Sequence, residues 1–314
     1  MKISDEKIAI IGAGALGSVY GSIFYDMDPA SVFFIARGER YDRLKRDGVI
    51  VNGKHYSIAV VKPEDCTPVF LLIVAVKHCH LGSAINEMKK AVGQATTIIS
   101  VMNGIDSEER VGAVFGMEKV VYGLNLGIDA VRENNSVTYA NQGRIFFGEK
   151  KNTEITERVR HLGDLFNKAG IAHVIPQDMI RSLWFKYMVN VGANQASAVL
   201  GADYGTLRAS SESMKLMESA MREVMSIARA VHVDLSEDDI QEWYKVLNTL
   251  NPQGKTSMLQ DVEAGRNTEV DMFAGTLINL GKRHGILTPV NQKLFDELKR
   301  IEASVNATNG LIKH

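Results

Sequence analysis

A glycine-rich loop near the N-terminus has the spacing of a dinucleotide-binding fingerprint. It follows an apolar run, opens a helical pattern and reads Gly12-Ala13-Gly14-Ala15-Leu16-Gly17. The first glycine permits a tight turn, the second lets the backbone approach a pyrophosphate, and the third lets the helix pack on the strand. Free N–H groups at the start of that helix would face the phosphates. The sequence therefore predicts a nucleotide site here, and a structural turn without a nucleotide is the alternative.

The end of the second predicted strand decides which dinucleotide is bound. An NAD enzyme usually carries Asp or Glu there, for the 2′-hydroxyl of the ribose. This chain has Arg37, which can pair with a 2′-phosphate through charge-assisted hydrogen bonds. The nearest acid, Glu39, lies past a glycine and is expected to cap the next helix. We therefore predict a preference for NADP(H), with an arginine that binds no ligand as the alternative.

Two further polar segments follow predicted buried strands. Lys77 comes directly after one, and Asn103-Gly104 comes after the next. In a doubly wound sheet, ligands gather at the carboxyl ends of the strands, so both segments are candidates for contact with the cofactor. A solvated lysine and an ordinary Asn-Gly turn are the alternatives.

A polar stripe interrupts an apolar segment in the second half of the chain. Lys186, Asn190 and Asn194 are spaced i, i+4 and i+8, so a helix would align them on one face. A solvated face normally carries Glu and Lys, and asparagine is a poor helix former, so the pattern favours a face that lines a polar cavity. A structural network or plain solvent exposure is the alternative. A second polar cluster, 256–271, is compatible by itself with a capped helix and a turn.

The first half of the chain alternates short β-branched runs with helical patterns, which predicts a parallel sheet with right-handed crossovers. The predicted parallel strands are Lys7–Ile11, Val32–Ala36, Val69–Val76, Thr97–Val101 and Lys119–Tyr122. The Gly-punctuated stretch Val137–Gly148 predicts antiparallel edge strands.

After Pro176 the pattern becomes helical, with no convincing strand. Predicted helices cover Met179–Val199, Ser211–Val231, Ser236–Leu247 and Val270–Val305, the last broken near Gly285 and Pro289, with Ser211 and Ser236 as N-caps. The fold class is therefore α/β, with an N-terminal Rossmann-type parallel sheet (1–176) and a C-terminal all-α domain (177–314).

Composition excludes several classes of function. The formal net charge of the 314 residues is −1, so no global field favours nucleic acid or an acidic membrane surface. The longest apolar run is too short to span a bilayer, and the first residues lack the pattern of a signal peptide. There are two cysteines, so we expect no disulfide framework and a cytoplasmic location. No metal-ligand spacing is found. An apolar helical domain would support a homodimer without requiring one.

Taken together, these segments resemble the ketopantoate reductase (2-dehydropantoate 2-reductase) family over nearly the whole chain. The resemblance rests on the glycine loop, Arg37, Lys77, Asn103-Gly104, Trp184-x-Lys186-x-x-x-Asn190-x-x-x-Asn194, Ser257-Met-x-Gln-Asp261 and Gly265-Arg-x-Thr-Glu269-x-Asp271. It implies reduction of a small 2-keto acid by NADPH.

The resemblance also implies a role for each matching residue. Lys186 matches the family's proton donor, and Asn190, Asn194 and Ser257 match positions that hold the substrate. Asn103 matches a residue that touches both cofactor and substrate, and Glu269 matches one near the nicotinamide, with a catalytic role. Arg37 and Lys77 match contacts to the phosphate and ribose of the cofactor. The expected chemistry is consistent: hydride transfer builds negative charge on the ketone oxygen, and a positioned acid accelerates the reaction.

Departures from the family pattern concern the substrate. The chain has Phe273-Ala274-Gly275, Tyr204-Gly205, Gly254 and Gly123–Gly127 where members carry other residues, asparagines and threonines among them. The leading hypothesis is reduction of ketopantoate to pantoate in the pantothenate pathway. A D-2-hydroxyacid dehydrogenase with a different 2-keto acid on the same scaffold is the second. A non-catalytic NADP(H)-binding sensor is the third, and retention of both Lys186 and Glu269 argues against it.

Overall fold

The computed structural model describes residues 6–311, with side chains through residue 304. The first five residues, which entered the signal-peptide argument, lie outside the described part. The chain folds as two units, Met1–Ile180 and Arg181–His314. The domain boundary at residue 176 stays a prediction.

The strands all belong to the first unit, within the described residues. They are β1 (Ile8–Ile11), β2 (Val32–Ile35), β3 (Val49–Val51), β4 (Lys54–Tyr56), β5 (Ala59–Val61), β6 (Leu71–Val74), β7 (Thr97–Ser100), β8 (Val120–Ile128), β9 (Val131–Glu133), β10 (Ser136–Thr138), β11 (Gln142–Gly148) and β12 (His173–Val174).

Eight of these strands form the main sheet, in the order β12-β11-β8-β7-β6-β1-β2-β5. All neighbouring pairs are parallel except β8 with β11. A small sheet, in the order β4-β3-β10-β9, holds the remaining strands. The predicted α/β fold class with an N-terminal parallel sheet is confirmed.

Strands β1, β2 and β6 in the middle of the main sheet are buried almost throughout, which explains why they are continuous apolar runs rather than alternating ones. Ile8 and Ile10 of β1 join the apolar cluster on one face, whereas Ala9 and Ile11 join the cluster on the other. Each of these four residues is at most 1% exposed. The sheet is therefore a rigid base for the loops that follow its strands.

The structure corrects two strand predictions. The strand predicted to end at Tyr122 continues to Ile128, because the Gly-Leu-Asn-Leu-Gly segment after Tyr122 pairs with β11. In that segment the buried Asn125 side chain accepts a hydrogen bond from Tyr20 and donates one to the carbonyl of Val101. Strand β11 is antiparallel to β8 as predicted, but it is not an edge strand, since β12 lies outside it. Sequence reasoning also missed the short strands β3, β4, β5, β9 and β12.

The helices of the first unit are α1 (Ala15–Met27), α2 (Gly38–Asp47), α3 (Leu81–Glu87), α4 (Ser107–Phe115) and α5 (Glu157–Lys168). Those that follow are α6 (Met179–Val189), α7 (Gln195–Leu200), α8 (Tyr204–Ala209), α9 (Ser211–Ala230), α10 (Glu237–Thr249), α11 (Ser257–Glu263), α12 (Thr276–His284) and α13 (Pro289–Leu311). The predicted all-α C-terminal region is confirmed.

Two details of the helices differ from prediction. The segment predicted as one helix over Met179–Val199 contains a π-helical stretch, Asn190–Asn194, between α6 and α7. The N-cap of α9 is Ser210 rather than Ser211, and its hydroxyl accepts from the backbone N–H of Ser213. Ser236 caps α10 as predicted, in a reciprocal capping box with Asp239.

None of the helices in 6–311 is long and apolar enough to cross a membrane. Within the same residues, no group of three or more His, Cys, Asp or Glu side chains is arranged to hold a metal ion. The cytoplasmic location and the homodimer stay predictions.

Candidate active site

The carboxyl ends of four neighbouring strands lie in one row. Strand β1 pairs Ile11 with Ile35 of β2 and with Val74 of β6, and Val74 pairs in turn with Ser100 of β7. The residues that follow these four positions therefore emerge along one edge of the sheet. They include the glycine loop, Arg37, Lys77 and Asn103, which were predicted from separate segments of the sequence.

The glycine loop is shaped by close backbone approach. Gly12 has φ of +103°, and a Cβ there would lie 2.5 Å from the carbonyl oxygen of Ala75. A Cβ on Gly17 would lie 1.8 Å from the carbonyl oxygen of Gly12, so this glycine lets α1 approach the strand. At Gly14 a Cβ would meet only the Ala75 oxygen, at 3.8 Å. Gly12 and Gly17 are thus required by the fold, whereas the side of Gly14 faces open space that a ligand can fill.

Helix α1 begins with unsatisfied donors. Its N-cap is Gly14, which has no side chain to cap the first turn, and that turn contains no acidic residue. The N–H of Ser18 bonds to the carbonyl of Gly14, so the N–H groups of residues 15, 16 and 17 precede the first intrahelical bond. Such donors at the positive end of a helix dipole form a site for a phosphate.

Arg37 stands at the N-cap position of α2 and lines a cavity of about 390 Å³. The cavity is lined by Arg37, Glu39, Arg40, Arg43, Ser83 and Glu87. Arg37 is exposed, and its Nε lies 2.9 Å from a carboxylate oxygen of Glu87. Glu39 occupies the first turn of α2 rather than the cap position. Sequence reasoning missed Arg40 and Arg43, although their i, i+3 spacing after Arg37 on a helical segment is a usable signal.

The loops that carry Lys77 and Asn103 are tied together by an ionic network. Nε2 of His78 lies 3.0 Å from Oδ2 of Asp106, and Arg110 lies 3.1 Å from the same ring nitrogen. Burial disfavours ionisation of Asp106, but the hydrogen bond from His78 and the charges of His78 and Arg110 lower its pKa below the usual value. Lys77 is exposed and Asn103 half-buried. The network fixes the spacing of two segments predicted to contact the cofactor.

A buried acid lies behind the Asn103 loop. Glu108, in the first turn of α4, is 2% exposed and accepts hydrogen bonds from the hydroxyl of Ser107 and the N–H of Gly123. Burial raises the pKa of Glu108 to about 7, against the opposing effect of those hydrogen bonds. No feature of the sequence pattern indicated this group.

The predicted polar stripe runs through the π-helical stretch. Lys186 and Asn190 are half-buried and Asn194 is 9% exposed. A π-helical turn contains more residues than an α-helical turn, so it rotates Asn194 away from the i, i+4 alignment expected of a regular helix. The turn is packed tightly, because a Cβ on Gly192 would lie 2.5 Å from the side chain of Met221 on α9.

Asn194 and Ser257 are brought together. Nδ2 of Asn194 lies 3.5 Å from Oγ of Ser257, the first residue of α11. Thr256 caps that helix through the N–H of Leu259, and its hydroxyl donates to Ser197 at 3.0 Å. Two positions predicted to hold substrate, far apart in the chain, are therefore neighbours.

Glu269 lies next to a second π-helical stretch, Asp271–Gly275. Its backbone carbonyl accepts from the N–H groups of Met272 and Phe273, both at 3.0 Å, while its side chain is half-buried. The buried hydroxyl of Tyr187, the neighbour of Lys186, donates to the carbonyl of Phe273 at 2.6 Å. One hydrogen bond thus connects the segment of Lys186 with the segment of Glu269.

Two models of one family match the chain. Residues 8–152 match the model described as ketopantoate reductase PanE/ApbA, and residues 178–302 match the one described as ketopantoate reductase PanE/ApbA C terminal. A relative, the 2-dehydropantoate 2-reductase of Pyrococcus horikoshii, is 26% identical over 312 residues, which cover 95% of this chain and 98% of the relative.

Solved structures with the same fold span nearly the full chain. A 2-dehydropantoate 2-reductase from Geobacter metallireducens GS-15 has a TM-score of 0.82 at 27% identity and covers 94% of this chain and 99% of its own. The ternary structure of D-mandelate dehydrogenase with NADH and anilino(oxo)acetate has a TM-score of 0.85 at 23% identity, covering 96% and 99%. At that identity the second likeness concerns the fold alone.

Proposed function

Because this chain belongs to the ketopantoate reductase PanE/ApbA family, whose members are oxidoreductases that act on a CH–OH or C=O group, we propose that it reduces ketopantoate to pantoate with NADPH. The proposed cofactor site is supported by one observation: the carboxyl ends of four neighbouring strands of the first unit lie in one row. Four segments with the residue types of a dinucleotide site follow that row: the glycine loop, Arg37, Lys77 and Asn103.

The first unit would hold the cofactor through backbone and cations. The N–H groups of Ala13 in the glycine loop and of Ala15 and Leu16 at the start of α1 would face the pyrophosphate, and Arg37 the 2′-phosphate. Lys77 and Asn103 would contact the riboses and the nicotinamide end. The fit is supported by the open side of Gly14 and by a first turn of α1 that carries no acid to repel phosphate. A bound nicotinamide supplies the hydride.

The second unit would hold the acid and the substrate. Lys186 would donate a proton from Nζ to the ketone oxygen as negative charge develops there. Asn190, Asn194 and Ser257 would bind the carboxylate and hydroxyl of the acid through neutral donors. Glu269 would act with Lys186 in catalysis, as the family resemblance implies. The support is the neighbouring pair Asn194–Ser257 and the hydrogen bond between Tyr187 and Phe273.

A second candidate substrate has its own observation. Two of the departures from the family pattern, Tyr204-Gly205 and Gly254, are in contact: the N–H of Tyr204 donates to the carbonyl of Gly254 at 3.0 Å, and the N–H of Gly205 donates to that of Pro252 at 2.8 Å. Gly254, in this cluster, precedes Ser257 by a few residues. An altered surface next to a substrate position favours a D-2-hydroxyacid dehydrogenase acting on a different 2-keto acid.

A substrate panel distinguishes the two candidates. Oxidation of NADPH is followed with ketopantoate, pyruvate, 2-ketoisovalerate and benzoylformate, each at several concentrations, and NADH is compared on the best acid. We expect the highest kcat/KM with ketopantoate and NADPH. A higher value with another acid assigns the second function, and absence of turnover with every acid contradicts both.

A further inference from the structure

Arg132 lies against the glycine loop although it is remote in sequence. It is on β9 of the small sheet, half-buried, and its Nη1 donates a hydrogen bond to the carbonyl of Ala13. Its Nε donates to the carbonyl of Asn134 at 2.8 Å. Among the described residues, Nη2 of Arg132 has no hydrogen-bond acceptor. The N–H groups at that edge of the guanidinium can therefore donate to a ligand. The hydrogen bond to Ala13 fixes this cation beside the proposed phosphate loop.

The surroundings of Arg132 favour an anion. Burial, together with the charges of Arg43 and Arg40, lowers the pKa of Arg132 below its usual value. Guanidiniums that repel one another without a carboxylate partner raise the free energy of the protein, and a bound anion removes that repulsion. Across the side chains that the structure describes, no salt bridge joins Arg40, Arg43 or Arg132 to an acid.

Arg37 differs from these three arginines. Its Nε is paired with Glu87, a carboxylate that is only 12% exposed. A phosphate at Arg37 would therefore meet a cation whose charge is already partly balanced. Arg40 and Arg43 line the same cavity without a salt bridge among the described side chains, and Glu39 is the other carboxylate there.

We propose that Arg132, Arg40 and Arg43 form a second set of contacts to the 2′-phosphate of the cofactor and contribute more to the choice of NADPH over NADH than Arg37 does. The inference rests on the proposed NADPH-dependent function. The 2′-phosphate is a phosphate monoester, which carries close to two negative charges at neutral pH. Several guanidiniums therefore neutralise its charge more completely than one guanidinium does.

The test is nucleotide binding without turnover. The full chain is titrated by calorimetry with 2′,5′-ADP and with 5′-AMP, which lacks the 2′-phosphate. The variants are Arg132→Leu, Arg43→Leu and Arg37→Leu, with Arg144→Leu as the control, because Arg144 is an exposed arginine of the same unit. Arg43 is exposed on α2, so its replacement is expected to leave folding intact even if Arg132→Leu disturbs the loop.

We expect Arg132→Leu and Arg43→Leu each to raise the Kd of 2′,5′-ADP about tenfold or more and that of 5′-AMP less than about twofold. Arg37→Leu should have a smaller effect, and Arg144→Leu none. Equal weakening of both nucleotides, or an Arg37→Leu effect larger than the other two, overturns the inference while leaving the proposed function intact. A wild-type chain that binds neither NADPH nor 2′,5′-ADP overturns both.

Discussion

The candidate sites of the two units consist of different chemical groups. In the first unit, the candidate site consists of backbone N–H groups, glycines and guanidiniums that follow the ends of parallel strands. In the second, it consists of polar side chains on or next to two π-helical stretches and at the start of α11, with Lys186 and Glu269 among neutral amides and a hydroxyl. The first arrangement suits tight binding of a polyanion, and the second suits proton transfer to a small molecule. Substitutions in the first unit should therefore change binding constants, and those in the second should change kcat.

The largest expected effect is that of Lys186→Ala. Loss of the positioned acid should lower kcat by roughly 10²–10⁴, because the developing oxyanion loses its proton donor. The Kd of NADPH, measured by fluorescence titration, should change less than about twofold. The control is Lys245→Ala, since Lys245 is 75% exposed on α10 and pairs with Glu242. A kcat near the wild-type value in Lys186→Ala would remove the lysine from its proposed role.

Gly17→Ala tests the candidate nucleotide site of the first unit. The added Cβ would lie 1.8 Å from the carbonyl oxygen of Gly12, so α1 must move away from the strand. We expect a loss of about 1–3 kcal/mol in stability from overpacking and a Kd for NADPH raised about tenfold. Thermal unfolding and fluorescence titration measure the two effects.

The matched control for Gly17→Ala is Gly82→Ala. Gly82 is in α3, where a Cβ would meet nothing within 4 Å, so alanine should stabilise the helix by up to about 1 kcal/mol and leave binding unchanged. If both variants bind NADPH as the wild type does, the glycine loop is not a phosphate site.

A further expected effect concerns the pH dependence of the free energy of unfolding and comes from Glu108 in the first unit. The pKa of Glu108 is raised from 4.5 to about 7 in the folded protein, so folding favours its protonated form. The resulting stability is fully present below the unfolded pKa and is lost as pH rises through the folded pKa. Between about pH 5 and 7 the wild type should lose up to about 1.4 kcal/mol per pH unit relative to Glu108→Gln. Urea unfolding of both proteins across that range measures the difference, and parallel curves would contradict it.

Sequence reasoning reached the first site more completely than the second. The glycine loop, Lys77 and Asn103 are local motifs after strands, and the parallel register brings strand ends together by a general rule. Arg132 could not be found this way, because its contact with Ala13 joins positions 119 residues apart and comes from a separate small sheet.

In the second unit, the sequence indicated which polar residues form the candidate site but did not predict how they are arranged. The i, i+4, i+8 spacing of Lys186, Asn190 and Asn194 predicts a regular helix, but the close approach of Gly192 to Met221 accompanies a π-helical turn. That approach depends on how α9 packs, which the local sequence does not specify. The buried position of Glu108 likewise depends on Gly123 of a strand that was predicted too short.

Transfer of an isotope from cofactor to product tests the central claim most directly. The protein is incubated with ketopantoate and with NADPH carrying deuterium at both C4 positions of the nicotinamide, and the product is analysed by mass spectrometry and NMR. The account predicts pantoate with one deuterium at C2 and an equal amount of NADP⁺. Oxidation of the cofactor without a labelled 2-hydroxy acid, or no reaction with any 2-keto acid, would contradict it.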